Sequence, residues 1–281
     1  MKRRSFHQWR TGLQRHAGPL AKEFMGRGVV TVSQDSNVEK AIRSMDEHNI
    51  GSVVVLDTLG PCGIFTEREL VSRVLARGRN PEATVISEVA SPRFPSIVSS
   101  LTLEETAAAM IEKKSRLMVF DGAEIVGMVT PTDLVRVLKG VERDFSILKV
   151  ISTRLVTVPP ETPVDVVVRL MDEMKVGSVL VVEDGKWIGI FTERDLVKRI
   201  LAPKRRADTP VKAVASSPLV TAEPGVFGRE VAGIMAIHGF KRLPLALEGE
   251  GVGIVTARDV VEAFAMASRP RAPRVDWVQW N

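Results

Sequence analysis

The chain has 281 residues, 44% hydrophobic and 26% charged, which is the balance of a folded globular protein with room for two ordinary domains. No apolar run approaches the ~20 residues of a membrane helix, and the basic N-terminus lacks the apolar stretch of a secretory signal, so neither is expected. Cys62 is the lone cysteine and the four histidines are scattered, which excludes an internal disulfide and a cysteine- or histidine-based zinc spacing; the net charge of +5 suits anionic partners.

Residues 1–18 form a basic tail carrying Lys2, Arg3, Arg4, Arg10 and Arg15, with Phe6, Trp9 and Leu13 on one weak helical stripe. A partly ordered tail is the plainer reading and an arm for nucleic acid the sharper one. From residue 19 the chain predicts strand, helix, strand, strand, helix. Val29–Val32 reads as a strand, and Ser36 as the cap of a helix over residues 37–48. Gly51–Leu56 is a continuous apolar run, as in a strand buried on both faces. Cys62–Phe65 follows after a turn, then a helix from Glu67 that stops at Gly78. The same order recurs three more times. In the second unit Pro95 interrupts a weak first strand, a helix covers residues 103–114, and Asp121-Gly122 marks a hairpin. In the third, Leu155–Val158, a helix over residues 163–174, and a hairpin across Glu183-Asp184-Gly185-Lys186 are clear. The fourth follows a basic linker containing Lys204, Arg205 and Arg206, and the chain closes on an Arg/Trp tail with Trp277 and Trp280. The boundaries are 1–18 tail, 19–82, 83–144, 145–208 and 209–267 as repeats, and 268–281 tail.

One stretch organises the whole. Gly63-Ile64-Phe65-Thr66-Glu67-Arg68-Glu69 recurs at Gly127–Asp133, Gly189–Asp195 and Gly253–Asp259. The four Thr residues are spaced by 64, 62 and 64 positions, and an offset of 126 links Thr66 to Thr192, Gly51 to Gly177 and Arg116 to Arg242. A unit of about sixty residues is therefore paired, and the pair repeated. Thr-x-x-Asp/Glu before a helix is a capping box, and each copy could be only that. The same atoms also suit a nucleotide: a helix N-terminus attracts phosphate, and a carboxylate matches two vicinal ribose hydroxyls. No Ser-His-Asp set, metal cluster or P-loop is present, so no enzyme is expected.

These stretches, with Gly-Ser-Val-Val-Val at residue 51, Gly-Ser-Val-Leu-Val at residue 177, and the Arg-Leu-Met-Val and Arg-Leu-Pro-Leu strands, resemble CBS (cystathionine beta-synthase) domains over residues 19–267. The layout is similar to the regulatory gamma subunit of AMP-activated protein kinase and to stand-alone archaeal proteins of this family. The resemblance implies an α/β (α+β) fold of four repeats in two Bateman modules, each pairing two repeats through their sheets. It implies a non-catalytic, energy-sensing regulatory role and an adenine nucleotide ligand (AMP, ADP or ATP), with AMP or ADP favoured because one clear cation serves the best site. S-adenosylmethionine or NAD, and nucleic acid held by the tails, are the alternatives. The single cysteine fits a reducing cytosol, so a cytoplasmic protein is expected, with a regulated protein partner of unknown identity and a homodimer as options.

Carried over by position, the third-repeat site would use Thr192 and Asp195, framed by Val156, Val176 and Gly177, with Arg242 on the phosphate. The fourth would use Thr256 and Asp259 with Lys175, and the second Thr130 and Asp133. The first has Thr66, Val30, Ile50, Gly51 and Arg116, but Glu69 replaces the usual Asp. Its extra methylene could overshoot the ribose, which favours a structural role there. Arg194, like Arg68 and Arg258, precedes an acid and could reach phosphate or simply be solvated.

Overall fold

The computed structural model describes residues 18–92 and 94–268; the N-terminal tail up to Ala17 and the Arg/Trp tail beyond Ser268 lie outside the described residues. Each repeat builds a small mixed sheet. In the first, β1 (Thr31–Ser33) runs parallel to β2 (Ser52–Leu56), which pairs antiparallel with β3 (Pro61–Thr66). The second places β4 (Ser96–Val98), β5 (Leu117–Asp121) and β6 (Glu124–Val129) in the same order, and the third β7 (Thr157–Val158), β8 (Ser178–Glu183) and β9 (Lys186–Thr192). The fourth keeps only the hairpin β10 (Arg242–Leu247) and β11 (Glu250–Thr256).

Two short range hairpin loops explain themselves. Asp184 and Gly185 both have positive φ (48° and 76°), as do Glu248 and Gly249 (52° and 85°), the type I′ turn that matches strand twist. Pro95 does not break its strand. It precedes β4, where no ladder N–H is needed, and its carbonyl accepts from Met118 N at 2.9 Å.

After the short α1 (Ala21–Phe24), each repeat contributes a helix ahead of its antiparallel hairpin. These are α2 (Val38–Glu47), α4 (Leu103–Lys113), α6 (Val164–Glu173) and α8 (Gly228–His238). Asn37, not Ser36, caps α2, its side chain accepting from Lys40 N at 3.1 Å. Thr102 and Glu105 form a capping box on α4 that the sequence reading passed over. The helices after the last strands differ by repeat. α5 (Pro131–Leu138) and α9 (Ala257–Ser268) are regular. In repeats 1 and 3, α3 (Glu67–Glu69) and α7 (Glu193–Asp195) are single turns that widen into π-helix over Leu70–Val74 and Leu196–Leu201.

The cores show how the repeats assemble. Sheets of repeats 1 and 2 share Val54, Ile64, Phe94, Met118 and Phe120. Helices of repeats 2 and 4 merge in one core that includes Met110, Leu134, Leu138, Met235, Val260 and Phe264. Repeats 1 and 3 exchange side chains: Val71 is buried in the third-repeat core and Val197 in the first. Repeats 3 and 4 meet at their sheets, where Trp187 lies on Gly251 so closely that a Cβ there would be 1.6 Å from the ring. The contacts 1–2, 2–4, 4–3 and 3–1 close a ring.

Candidate functional site

All four Thr-x-x-acid stretches cap their helices. Thr192 N and Oγ1 donate to Asp195 Oδ2 at 2.9 and 2.7 Å, and Thr130 N and Oγ1 donate to Asp133 Oδ2 at 2.9 and 2.6 Å. Thr256 N donates to Asp259 Oδ2 at 2.7 Å. Thr66 N and its hydroxyl donate to Glu69 Oε2. In repeats 1 and 3 the remaining carboxylate oxygen meets a serine from the next repeat: Ser216 Oγ donates to Asp195 Oδ1 at 3.0 Å and Ser91 Oγ to Glu69 Oε1 at 2.9 Å. Glu69 therefore makes the same three contacts within the protein as Asp195, the structural role its longer side chain favours.

Those serines reveal an exchange between partner repeats. Ile64 bridges Ser91, Met128 bridges Gly26, Ile190 bridges Ser216 and Ile254 bridges Ser152. The strand that ends in each Thr-x-x-acid stretch is thus bound to the beginning of the partner repeat. The sequence reading framed Asp195 with Val156, Val176 and Gly177 of its own repeat, and this grouping is corrected here. The cleft holding Thr192 and Asp195 is walled instead by Ser216, Pro218, Leu219 and Val220, and by Gly239, Phe240, Lys241, Arg242 and Pro244 of repeat 4, with Ile190 and Arg194 completing it. Val220, Phe240 and Lys241 are the counterparts, 64 positions on, of Val156, Val176 and Gly177. The same exchange sets the start of repeat 3 beside the strand that ends in Thr256, through Ser152 and Ile254, and the start of repeat 1 beside the strand that ends in Thr130, through Gly26 and Met128, while Arg116 donates to Gly51 O at 3.3 Å. Lys175 is also drawn elsewhere: its ammonium is 3.0 Å from Asp172, in a groove shared with Arg73 and Arg77.

The Asp195 cleft gathers three cations, each already paired. Arg242 lies 3.0 Å from Glu193, Lys241 Nζ 2.7 Å from Glu67, and Arg194 Nε 3.4 Å from Glu67. Arg68 mirrors Arg194 across the centre, donating to the carbonyls of Val176 and Lys175 and standing 3.6 Å from Glu193. Two glycines make this approach feasible. A Cβ on Gly177 would lie 1.8 Å from the Arg242 guanidinium, and one on Gly51 would lie 2.7 Å from Lys241 Nζ. Burial pulls Glu67 upward, but Lys241, Arg194 and Arg116 outweigh it and hold its carboxyl below the ordinary value. Burial dominates at Lys241, whose pKa is pushed down to about 8 although Glu67 opposes the fall. Burial likewise raises Asp259 and lowers Arg258.

Of the residues singled out from the sequence, Thr192, Asp195, Arg194 and Arg242 line this cleft, beside Lys241, Ser216, Val220 and Phe240, which the sequence reading passed over. The signal available was the pair of serines just ahead of Pro92 and Pro218, lying 22 and 21 residues beyond the acids they touch. Among the described residues no group of His, Cys, Asp or Glu could hold a metal ion, and no helix is long and apolar enough to cross a membrane.

Comparison with known proteins agrees with this organisation. A family model described as the CBS domain matches residues 21–76, 86–140, 146–202 and 211–266. The protein MJ1404 of Methanocaldococcus jannaschii is 23% identical over 266 residues; the alignment takes in 87% of this chain, which spans only 61% of that relative's length. The crystal structure of MJ1225 from the same organism, described as a candidate archaeal homolog of g-AMPK, superposes with a TM-score of 0.73 at 19% identity, covering 88% of this chain and 100% of that one. A conserved protein of Pyrococcus horikoshii gives 0.61 at 21% identity over 87% of this chain and 99% of its own.

Proposed function

We propose, from the premise that this chain belongs to the CBS-domain family, that it is a non-catalytic regulatory module that binds an adenine nucleotide in the cleft between repeats 3 and 4. The observation that carries the reading is the convergence of an acid, a hydroxyl pair and three cations on one apolar-walled cleft: Asp195, Thr192 and Ser216 with Arg194, Lys241 and Arg242, against Leu219, Val220 and Phe240. A base suits the apolar wall. The ribose hydroxyls suit Asp195 Oδ1, where Arg199 Nε at 3.4 Å is the loosest contact to displace. Phosphate suits the cations at the start of α7 and β10. Because those cations already answer two buried glutamates, little net positive charge is left over, and AMP or ADP is favoured over ATP.

Calorimetric titration of nucleotide-stripped protein with AMP, ATP and S-adenosylmethionine tests this. AMP is expected to bind more tightly than ATP. Asp195→Ala is expected to abolish the tightest site while costing roughly 1 kcal/mol of stability for the lost cap. No heat from AMP or ATP, or unchanged AMP affinity in the variant, would overturn the reading. Heat from S-adenosylmethionine alone would replace the ligand.

A further inference from the structure

Two of the three cations of the repeat 3–4 cleft, Lys241 and Arg194, are held from outside their own module. Glu67 belongs to repeat 1, at the first position of α3, and its side chain is only 5% exposed. Its backbone N–H donates to Gly51 O at 3.2 Å, which fixes the residue beside the glycine that lets Lys241 in. Its two oxygens divide between two cleft cations, Oε2 to Lys241 at 2.7 Å and Oε1 to Arg194 at 3.4 Å. The counterpart of Lys241 in the first module, 126 positions earlier, is Ser115, so this lysine link has no twin on the opposite side. An anion entering the Asp195 cleft therefore meets two cations that a buried carboxylate already holds, and that carboxylate is a like charge close behind them.

We propose that Glu67 is a positioning residue of this cleft, supplied across the module boundary, and that a ligand phosphate binds by drawing Lys241 and Arg194 away from it. The inference rests on the reading that the cleft takes a nucleotide phosphate. Its consequence is coupling. When phosphate takes the two cations, Glu67 is left buried with fewer partners, and the contact between modules is weakened at that point. Occupancy of one module is thereby felt in the other, through a defined ion pair.

The test is titration of wild type, Glu67→Gln, Lys241→Met and the double variant with AMP and with adenosine. Adenosine reports base and ribose alone; AMP adds the phosphate. Glu67→Gln is expected to tighten AMP roughly tenfold and leave adenosine unchanged, because one competing charge is gone. Lys241→Met is expected to weaken AMP, and the double variant to respond to Glu67→Gln much less than wild type does. Glu67→Asp keeps the charge but withdraws it from Lys241, and is expected to tighten AMP by a smaller factor; it serves if the Gln variant does not fold. Wild type that binds adenosine and AMP, with both affinities shifted equally or AMP weakened in the Glu67 variants, would overturn the coupling and leave the nucleotide reading standing. Wild type that binds neither ligand would overturn both.

Discussion

Lys241 shows how one residue's surroundings set its chemistry. Its side chain keeps about a quarter of its exposure (24%), yet burial lowers its pKa to about 8. Glu67 beside it is held below the ordinary carboxylate value, and the charges of Arg194 and Arg116 add to the fall at Lys241. Between about pH 8 and the ordinary lysine value of 10.5, the unfolded chain holds more protons than the folded one at this site. Stability from this group therefore rises with pH across that window as the burial cost of the charge is relieved. Phosphate binding has the opposite dependence, since a neutral amine attracts no anion. AMP affinity is expected to fall several-fold between pH 7 and 9.5, with adenosine flat and Lys241→Met insensitive; calorimetry across that range checks it. The phosphate is already largely dianionic at pH 7, its second pKa being about 6, so its own titration does not intrude.

At the scale of elements, repeat 4 departs from its siblings for a traceable reason. In the first three repeats the first strand is tied to the second by Val54 N to Val30 O, Met118 N to Pro95 O and Leu180 N to Val156 O. The fourth has Pro244 at the corresponding position, with no N–H to give, and among the described residues its first strand is reduced to a bridge at Ala222. That loosened segment carries Leu219 and Val220, which wall the cleft. Pro244→Val is expected to restore the bond to Val220 O. A net hydrogen bond gains about 0.5–1.5 kcal/mol, and losing proline gives back about 0.4–1 kcal/mol, so stability should move by less than about 1 kcal/mol. The informative readout is hydrogen exchange. The new amide at 244 should be protected like those of Val54 and Leu180; fast exchange would mean that something other than the missing donor keeps the strand apart.

For the whole molecule, closure of the ring makes the modules interdependent. Phe145, on the connection between the modules, is buried edge-to-face against Phe264 at 5.6 Å and lies under Gly228, where a Cβ would come within 2.0 Å of its ring. It belongs to the core shared by repeats 2 and 4, so it supports both modules together. Phe145→Ala is expected to cost about 3–5 kcal/mol and to lower a single cooperative transition in calorimetry. Two separated transitions, with only the second module destabilised, would show that the modules unfold independently.

The sequence by itself determined the repeat, the strand–helix–strand–strand–helix order, the hairpins at Asp184-Gly185 and Asp121-Gly122, the capping role of the four Thr-x-x-acid stretches and the stop at Gly78. These follow from backbone preferences and from the period of buried residues, which are local. What only the tertiary structure decided is which halves share a cleft. Asp195 shares its cleft with Ser216, Val220 and Lys241 because the segment ahead of each repeat's first strand bridges to the last strand of the partner repeat, and spacing within a repeat carries no trace of that exchange. Lys241 and Glu67 are 174 residues apart, and neither looks unusual beside its neighbours. Their pairing depends on four contacts closing a ring and on Gly51 leaving room beside it, so it became visible only when the whole chain was folded.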